Sequence, residues 1–169
     1  PGSLSQKWFT RLEVKSEPHT GRRMGGPSYR IPVRPIVPGS RNNGADFVDM
    51  ESMPVRSVLT SHAHGTRLPA GTRSLDIRGH AWAGDLSVRE VHVSTDFGQS
   101  WQAMQVAAPP NRHSWQRWQG SIALPADGYY EVWYRATDSN GRMQPHVAAN
   151  WNPQGYGANP ISRIAILIG

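Results

Sequence analysis

The chain has 169 residues, of which 37% are hydrophobic and 18% charged; this composition suits a globular domain and excludes a disordered tail. No apolar run approaches the ~20 residues that a membrane-spanning helix needs, so no membrane span is expected. Cysteine is absent, which excludes disulfides, a cysteine nucleophile and thiolate metal ligands within this chain.

The net charge is +6 and the sequence pI is about 10.3. Two interpretations are open: an anionic partner such as a nucleic acid or an oxyanion, or a solvated basic surface. The lysines and arginines are scattered along the chain, apart from pairs such as Arg22-Arg23. Scattered charge favours the solvated surface, and no nucleic-acid partner is predicted.

The front of the chain divides into two parts. Lys7 to Val14 alternates in a way that predicts a short strand, with Trp8, Leu12 and Val14 as its apolar members. Residues 15–54 hold six prolines and five glycines. Proline fixes φ and removes a hydrogen-bond donor, so this stretch is predicted to be a long irregular connection with at most short strands.

From residue 55 onward the pattern becomes regular. Apolar and polar residues alternate in short runs separated by turn signals. Strands are predicted at 55–60, 74–83, 87–94, 101–106, 115–124, 129–138 and 162–168, with a turn region at 66–71. About seven short strands without a helical pattern predict an all-β fold, an immunoglobulin-like β-sandwich spanning residues 55–169.

Two motifs carry both a chemical and a structural interpretation. Ser94-x-Asp96-x-Gly98-x-x-Trp101 resembles the Asp-box of sialidase-like propellers, but a single copy favours a hairpin turn held by the aspartate. His62 and His64 could face a metal together, but they lie in a predicted loop beside Gly65 with no further ligand nearby. We predict neither a metal site nor a catalytic residue in this chain.

The most unusual stretch lies near the C-terminal end. It combines an alternating strand, a Gln-Pro pair and a Trp-Asn turn with two glycines. The segments are Arg135-Ala136-Thr137-Asp138, Gln144-Pro145 and Trp151-Asn152-Pro153-Gln154-Gly155-Tyr156-Gly157. From the residues alone, this is a corner packed by Trp151 and Tyr156 in which glycines take special backbone angles.

In this order, these segments resemble the signature of the sulfite oxidase dimerisation domain. Upstream segments extend the resemblance across nearly the whole chain: Gly79-His80-Ala81-Trp82-Ala83-Gly84, Val91-His92-Val93-Ser94-Thr95-Asp96 with Gly98 and Trp101, and Trp115-x-x-Trp118. The chain is therefore identified as a member of the sulfite oxidase and sulfite dehydrogenase family, whose enzymes carry a molybdenum cofactor.

The first residues resemble the end of the family's molybdopterin domain. Residues 1–14 are then the C-terminal remnant of that domain, residues 15–54 the connection and residues 55–169 the dimerisation domain. The resemblance implies that Ser5, Gln6 and Lys7 contact the pterin or its phosphate. Backbone donors, a hydroxyl and an ammonium suit an anionic group. Without the resemblance, the residues alone favour the simpler interpretation that Lys7 is a lysine at a strand end.

The family reaction is a two-electron oxidation of sulfite, or of a sulfur compound bound to a carrier, at molybdenum. The resemblance implies a molybdenum–molybdopterin cofactor bound mainly by an upstream domain, which supplies the cysteine ligand that is missing here. Electrons pass to a haem, a cytochrome such as cytochrome c, or oxygen. These residues alone are therefore expected to be inactive.

One position bears on the substrate. Animal and plant sulfite oxidases have an arginine where this chain has Gln154, and that arginine faces the oxyanion pocket. A glutamine can donate a hydrogen bond but adds no charge, so it holds an oxyanion less strongly. The surrounding Trp-Asn-Pro-x-Gly-Tyr is more similar to bacterial sulfite and sulfane dehydrogenases, which implies a periplasmic protein and leaves the exact sulfur substrate open.

The resemblance implies a homodimer formed through the immunoglobulin-like domain. A second hypothesis is a stand-alone immunoglobulin-like module that binds carbohydrate or mediates adhesion, without catalysis. Its basis is a sandwich with exposed aromatic side chains. The Lys7-Trp8 segment favours the first hypothesis, because a free module does not need an added strand and a long connection before its first sandwich strand.

Overall fold

The computed structural model describes residues 7–17, 28–37, 39, 46–147, 152 and 154–169. All regular secondary structure in these residues is β-strand, which confirms the all-β prediction. In chain order the strands are β1 Arg30–Pro32, β2 Phe47–Asp49, β3 Arg56–Leu59, β4 Thr66–Leu68, β5 Ser74–Trp82, β6 Val88–Ser94, β7 Gln102–Ala103, β8 Gln105–Val106, β9 Gln116–Ala123, β10 Gly128–Asp138 and β11 Ser162–Ile168. None of these residues forms a helix that is long and apolar enough to cross a membrane.

Two sheets form the sandwich. One has five strands in the order β4-β11-β10-β6-β7, and the other has four in the order β3-β5-β9-β8. The first two strands form a separate antiparallel pair within the connection. The predicted sandwich is confirmed, and the described residues of the predicted connection contain only the short strands β1 and β2.

The core lies between the two sheets and follows the alternation of the sequence. On β10, Val132, Tyr134 and Ala136 are buried, whereas Trp133 and Arg135 between them point outward and are half-buried. Trp118 on β9 is 1% exposed and lies across from this strand, with its ring centroid 6.1 Å from that of Tyr134. Alternate burial at a period of two is what a sheet with one covered face requires.

Gly79 lies on β5, a central strand of the four-stranded sheet, and its pairing partner on β9 is Trp118, the largest residue of the core. A Cβ atom at this position would collide with the Val58 carbonyl oxygen and with the ring of Trp118. The indole nitrogen of Trp118 donates to the His80 carbonyl oxygen at 3.1 Å. The glycine of the Gly79–Gly84 motif is therefore required by the close packing of the tryptophan ring.

Two strand predictions need correction. The predicted turn at 66–71 begins as β4, which runs parallel to β11 and pairs Thr66 with Ile166. The pairing partner lies about a hundred residues away in the chain, so no local signal could reveal it. The single arm predicted at 101–106 is divided by the buried Met104 into β7, which pairs with β6, and β8, which pairs with β9.

The predicted strand from Lys7 to Val14 is wrong. None of its residues belongs to a strand, and all are exposed; Trp8 is 96% exposed and Leu12 83%. An alternating segment becomes a strand only when it lies beside another strand with which it can pair. In the part of the chain that the structure describes, no strand pairs with it.

Candidate functional site

Gln154 lies in the loop between β10 and β11. The turn that contains it is held at its start by the side chain of Asn152. The Asn152 amide nitrogen donates to the Arg30 carbonyl oxygen at 2.9 Å and to the Tyr156 carbonyl oxygen at 3.2 Å. Its amide oxygen accepts from the backbone nitrogen of Gln154 at 2.9 Å. Asn152 is 8% exposed, so this buried amide fixes the turn and joins it to β1.

The end of the same loop is held by Gln144, which is fully buried. Its amide oxygen accepts from the Ser57 hydroxyl at 2.6 Å and from the Ala136 backbone nitrogen at 2.9 Å. Its amide nitrogen donates to the carbonyl oxygens of Pro160 at 3.0 Å and Asn159 at 3.3 Å. Ser57 lies in one sheet and Ala136 in the other, so Gln144 joins both sheets to the loop.

A third set of contacts joins the loop to the connection and to β3. An Arg56 guanidinium nitrogen donates to the Ala158 carbonyl oxygen at 3.0 Å, and the Asn159 amide donates to the Val55 carbonyl oxygen at 3.1 Å. The rings of Tyr29 and Tyr156 stack with their centroids 5.2 Å apart. The described residues of this loop are thus held to the connection, to β3 and to the two sheets.

A cleft of about 640 Å³ opens beside this loop. Its walls come from the connection, from the turn after β5, from the turn after β10 and from the loop itself. The side chains that line it include Met50, Met53, Met143, Leu86, Asp138, Arg142 and Tyr156. Methionine side chains adapt their shape readily, so this cleft is better suited to packing against another protein surface than to holding a small molecule rigidly.

The predicted site residues are not brought together by direct contacts. Gln154 is exposed at the tip of the loop, as a residue that contacts a ligand or another domain must be. Lys7 is also exposed, and among the described residues its side chain makes no hydrogen bond or ion pair. The predictions for Ser5 and Gln6 lie outside the described residues.

The histidines of the His62-x-His64 motif take part in local contacts. His62 Nδ1 lies 2.9 Å from the Ser61 hydroxyl, and His64 Nδ1 accepts from the Ala165 backbone nitrogen at 3.2 Å. The described ranges contain no group of three or more histidine, cysteine or acidic side chains that could hold a metal ion. These histidines therefore stabilise the loop and its contact with β11.

The Ser94–Trp101 motif forms the predicted hairpin turn. The two carboxylate oxygens of Asp96 accept hydrogen bonds from the Ser100 backbone nitrogen at 2.9 Å, the Ser100 hydroxyl at 2.5 Å and the Ser94 hydroxyl at 2.6 Å. These bonds, led by those from Ser100, lower the pKa of Asp96 to about 2. Gly98 has a φ of 83°, the conformation for which a glycine was expected.

The roles of Gln144, Arg56 and Asn159 in positioning the loop were missed from the sequence. Glutamine and asparagine are mostly exposed in proteins, so an isolated amide gives no sign that it is buried. The available signal was the Gln-Pro pair, which follows directly on a strand and precedes a glycine-rich turn. Its spacing from the turn indicated a corner but could not show which backbone groups the amide would bind.

Comparison with known proteins identifies similar folds and sequences. Residues 48–168 match the family model described as the Mo-co oxidoreductase dimerisation domain. Sulfite oxidase of Gallus gallus is 29% identical over 160 residues, which cover 91% of this chain and 34% of that protein. The sulfane dehydrogenase SoxCD of Paracoccus pantotrophus superposes with a TM-score of 0.58 at 23% identity, covering 84% of this chain and 35% of that one.

The structural likeness to the sulfane dehydrogenase shows the fold alone, because the identity is low. The chain spans about a third of the length of the relatives it matches. The residues that match the family model include both sheets of the sandwich.

Proposed function

We propose a function for this chain from one premise: it belongs to the Mo-co oxidoreductase dimerisation domain family. The resemblance to sulfite oxidases is thereby confirmed. The observation that carries the proposal is that the family match, over residues 48–168, includes every strand of both sheets. On this basis the chain is the C-terminal portion of a molybdenum-cofactor oxidoreductase of the sulfite oxidase type, and its sandwich holds two subunits together.

The family match leaves the alternative of a stand-alone carbohydrate or adhesion module without support. In the proposed enzyme, the reaction is the two-electron oxidation of sulfite or a related sulfur compound. The electrons pass to an acceptor such as cytochrome c, and the location is the periplasm of a bacterium. The last two points rest on the sequence resemblance alone.

The residues of this chain do not fit the metal itself. The chain has no cysteine, and its described residues hold no cluster of metal-ligating side chains. We therefore assign the binding of molybdenum to an upstream domain. What this chain could offer to an anionic pterin is the ammonium of Lys7, together with Ser5 and Gln6 before it.

Gln154 is the proposed contribution of this chain to the substrate pocket. Its exposure is consistent with this role, and so are the buried amides of Asn152 and Gln144 that hold its loop. In the whole enzyme, Gln154→Arg adds a positive charge at this position and is expected to lower the KM for sulfite by ~10-fold, because hydrogen bonds to an ionised donor are about twice as strong. Gln119→Arg, an exposed glutamine on β9, is the matched control and should leave KM unchanged.

The experiment that tests the proposal is intact mass and molybdenum content of the natively purified protein, followed by an assay of sulfite oxidation. A mass well above 18.7 kDa with about one molybdenum per chain supports it. A protein of 18.7 kDa without molybdenum or sulfite oxidation would contradict the enzyme assignment.

A further inference from the structure

The methionines of this chain are unevenly distributed. The sequence has five, and three of them line the cleft of about 640 Å³: Met50, Met53 and Met143. Met104 is buried between the two sheets, and Met24 lies outside the described residues. Among the described residues, the cleft therefore gathers all the thioether sulfur that is not in the core.

The three cleft methionines are carried by different walls of the cleft. A Cβ atom added at Gly157 would lie 3.6 Å from the Met50 sulfur, so this side chain is next to the loop between β10 and β11. A Cβ atom added at Gly84 would lie 2.7 Å from the Met53 backbone nitrogen, which places Met53 against the turn after β5. Met143 follows β10 and lines the cleft from that side.

The methionines differ in how far a reagent in solvent can reach them. Met53 and Met143 are each 46% exposed, Met50 is half-buried, and Met104 is 7% exposed. A Cβ atom added at Gly120 would collide with the Met104 sulfur, so this sulfur is closely packed as well as covered. A reagent reaches Met104 only when the sandwich opens locally. Met104 is therefore an internal reference for the two exposed thioethers.

The surroundings of the exposed pair are largely apolar, with one cation. The apolar side chains of the cleft include Ile31, Pro32, Val55, Leu86 and Pro145. Arg142, which precedes Met143 in the chain, lines the same cleft and is exposed. Oxidation turns a flexible apolar methionine into a polar sulfoxide, whose oxygen accepts hydrogen bonds. The guanidinium of Arg142 has donors for such an oxygen, whereas the apolar lining has none.

We propose that Met53 and Met143 form a reversible oxidation site that converts the cleft from an apolar to a polar surface. The oxidant is a hydroperoxide, of which hydrogen peroxide is the simplest. The thioether sulfur attacks one peroxide oxygen, a sulfur–oxygen bond forms as the oxygen–oxygen bond breaks, and the other oxygen leaves as water. The sulfur loses two electrons, and the peroxide gains them.

The reverse step restores the thioether. Methionine sulfoxide reductases, one for each epimer of the sulfoxide, return two electrons from thiols and release the oxygen as water. Between the two states, the cleft differs in the surface that it can pack against, because a polar oxygen pressed against an apolar surface loses its hydrogen bonds to water. This inference goes beyond the proposed function and does not depend on molybdenum chemistry.

The first test is the time course of oxidation of the natively purified protein by hydrogen peroxide, followed by mass spectrometry of its tryptic peptides. Met50 and Met53 share the peptide that ends at Arg56, so fragmentation must separate them. Met53 and Met143 are expected to be oxidised at least ~10-fold faster than Met104, since the buried sulfur waits for local opening. Equal rates at the three positions would overturn the proposal, and so would sulfoxides that both reductases together fail to remove.

The second test measures the polarity of the cleft with the dye ANS, whose emission reports exposed apolar surface. Peroxide is expected to lower the dye emission of the wild-type protein, and the reductases are expected to restore it. The double variant Met53→Leu with Met143→Leu keeps apolar side chains of similar volume but has no sulfur to oxidise at these positions. Its dye emission should be unchanged by peroxide. Met104→Leu is the matched control and should respond to peroxide as the wild type does.

Circular dichroism establishes that every sample is still folded, so that dye emission reports the cleft and not unfolding. A reversible fall in the wild type and in Met104→Leu, without a fall in the double variant, supports the proposal. Sulfoxides at Met53 and Met143 with unchanged emission would overturn the change in polarity. An equal fall in the double variant would place the effect elsewhere and overturn the site.

Discussion

Two tryptophans show how side-chain burial differs between the sandwich and residues 7–17 at the front of the chain. Trp118 on β9 is 1% exposed and donates a hydrogen bond to the His80 carbonyl oxygen, whereas Trp8 is 96% exposed. The residue type is the same, but among the described residues only Trp118 is covered by other side chains. The sandwich is thus ordered by its own core, and residues 7–17 have apolar side chains that the described residues do not cover.

The largest expected effect is the loss of the buried ring. Trp118→Ala removes the largest fully buried side chain and should lower the free energy of unfolding by about 3–5 kcal/mol, since it leaves a cavity between the sheets. Trp8→Ala is the matched control and should change it by less than about 0.5 kcal/mol. Urea unfolding followed by circular dichroism measures both. If Trp8→Ala lowered the free energy of unfolding as much as Trp118→Ala does, the contrast between the two tryptophans would be contradicted.

The next effect concerns the buried amide that holds the Gln154 loop. Gln144→Ala leaves the Ser57 hydroxyl and the Ala136 backbone nitrogen without their partner and should cost about 2–4 kcal/mol in unfolding free energy. Gln119→Ala removes an amide from the exposed face of β9 and should cost less than about 0.5 kcal/mol. Equal costs for the two glutamines in the same urea experiment would mean that the Gln144 network does not stabilise the fold.

A smaller effect on stability is expected when the pH is lowered. The pKa of Asp96 is lowered to about 2 from the ordinary 3.8, so the charged carboxylate is favoured in the folded state. Its contribution to stability is present above pH 3.8 and is lost as the pH falls through 3.8 towards 2. Asp96→Asn should therefore reduce the loss of thermal stability between pH 4.5 and ~2. Asp76→Asn, an exposed carboxylate on β5, serves as the control, and the same pH dependence in both variants would contradict the assignment.

The strands that the sequence predicts best are those with a long and clear pattern. β10 was predicted to within one residue because its apolar and polar residues alternate, and β11 was predicted with its exact bounds because Ile164 to Ile168 form an unbroken apolar run of strand length. β4 was missed because three residues beside a proline acquire their strand geometry only from β11. The front strand was predicted and is absent, since alternation alone does not supply a pairing partner.

The candidate site was only partly predictable for a similar reason. The Trp-Asn motif indicated a turn and the resemblance indicated Gln154, but the side chains that fix this turn come from distant parts of the chain. Arg56 is about a hundred residues from Ala158, to which it donates. Contacts of that separation depend on the folded sandwich, so the sequence could indicate the corner and not its hydrogen bonds.

The central claim is that this sandwich joins two copies of the chain, and sedimentation equilibrium of the 169-residue wild-type chain tests it most directly. The account predicts a species of twice the 18.7 kDa chain mass at micromolar concentration. A single species of 18.7 kDa across the same concentrations would contradict it.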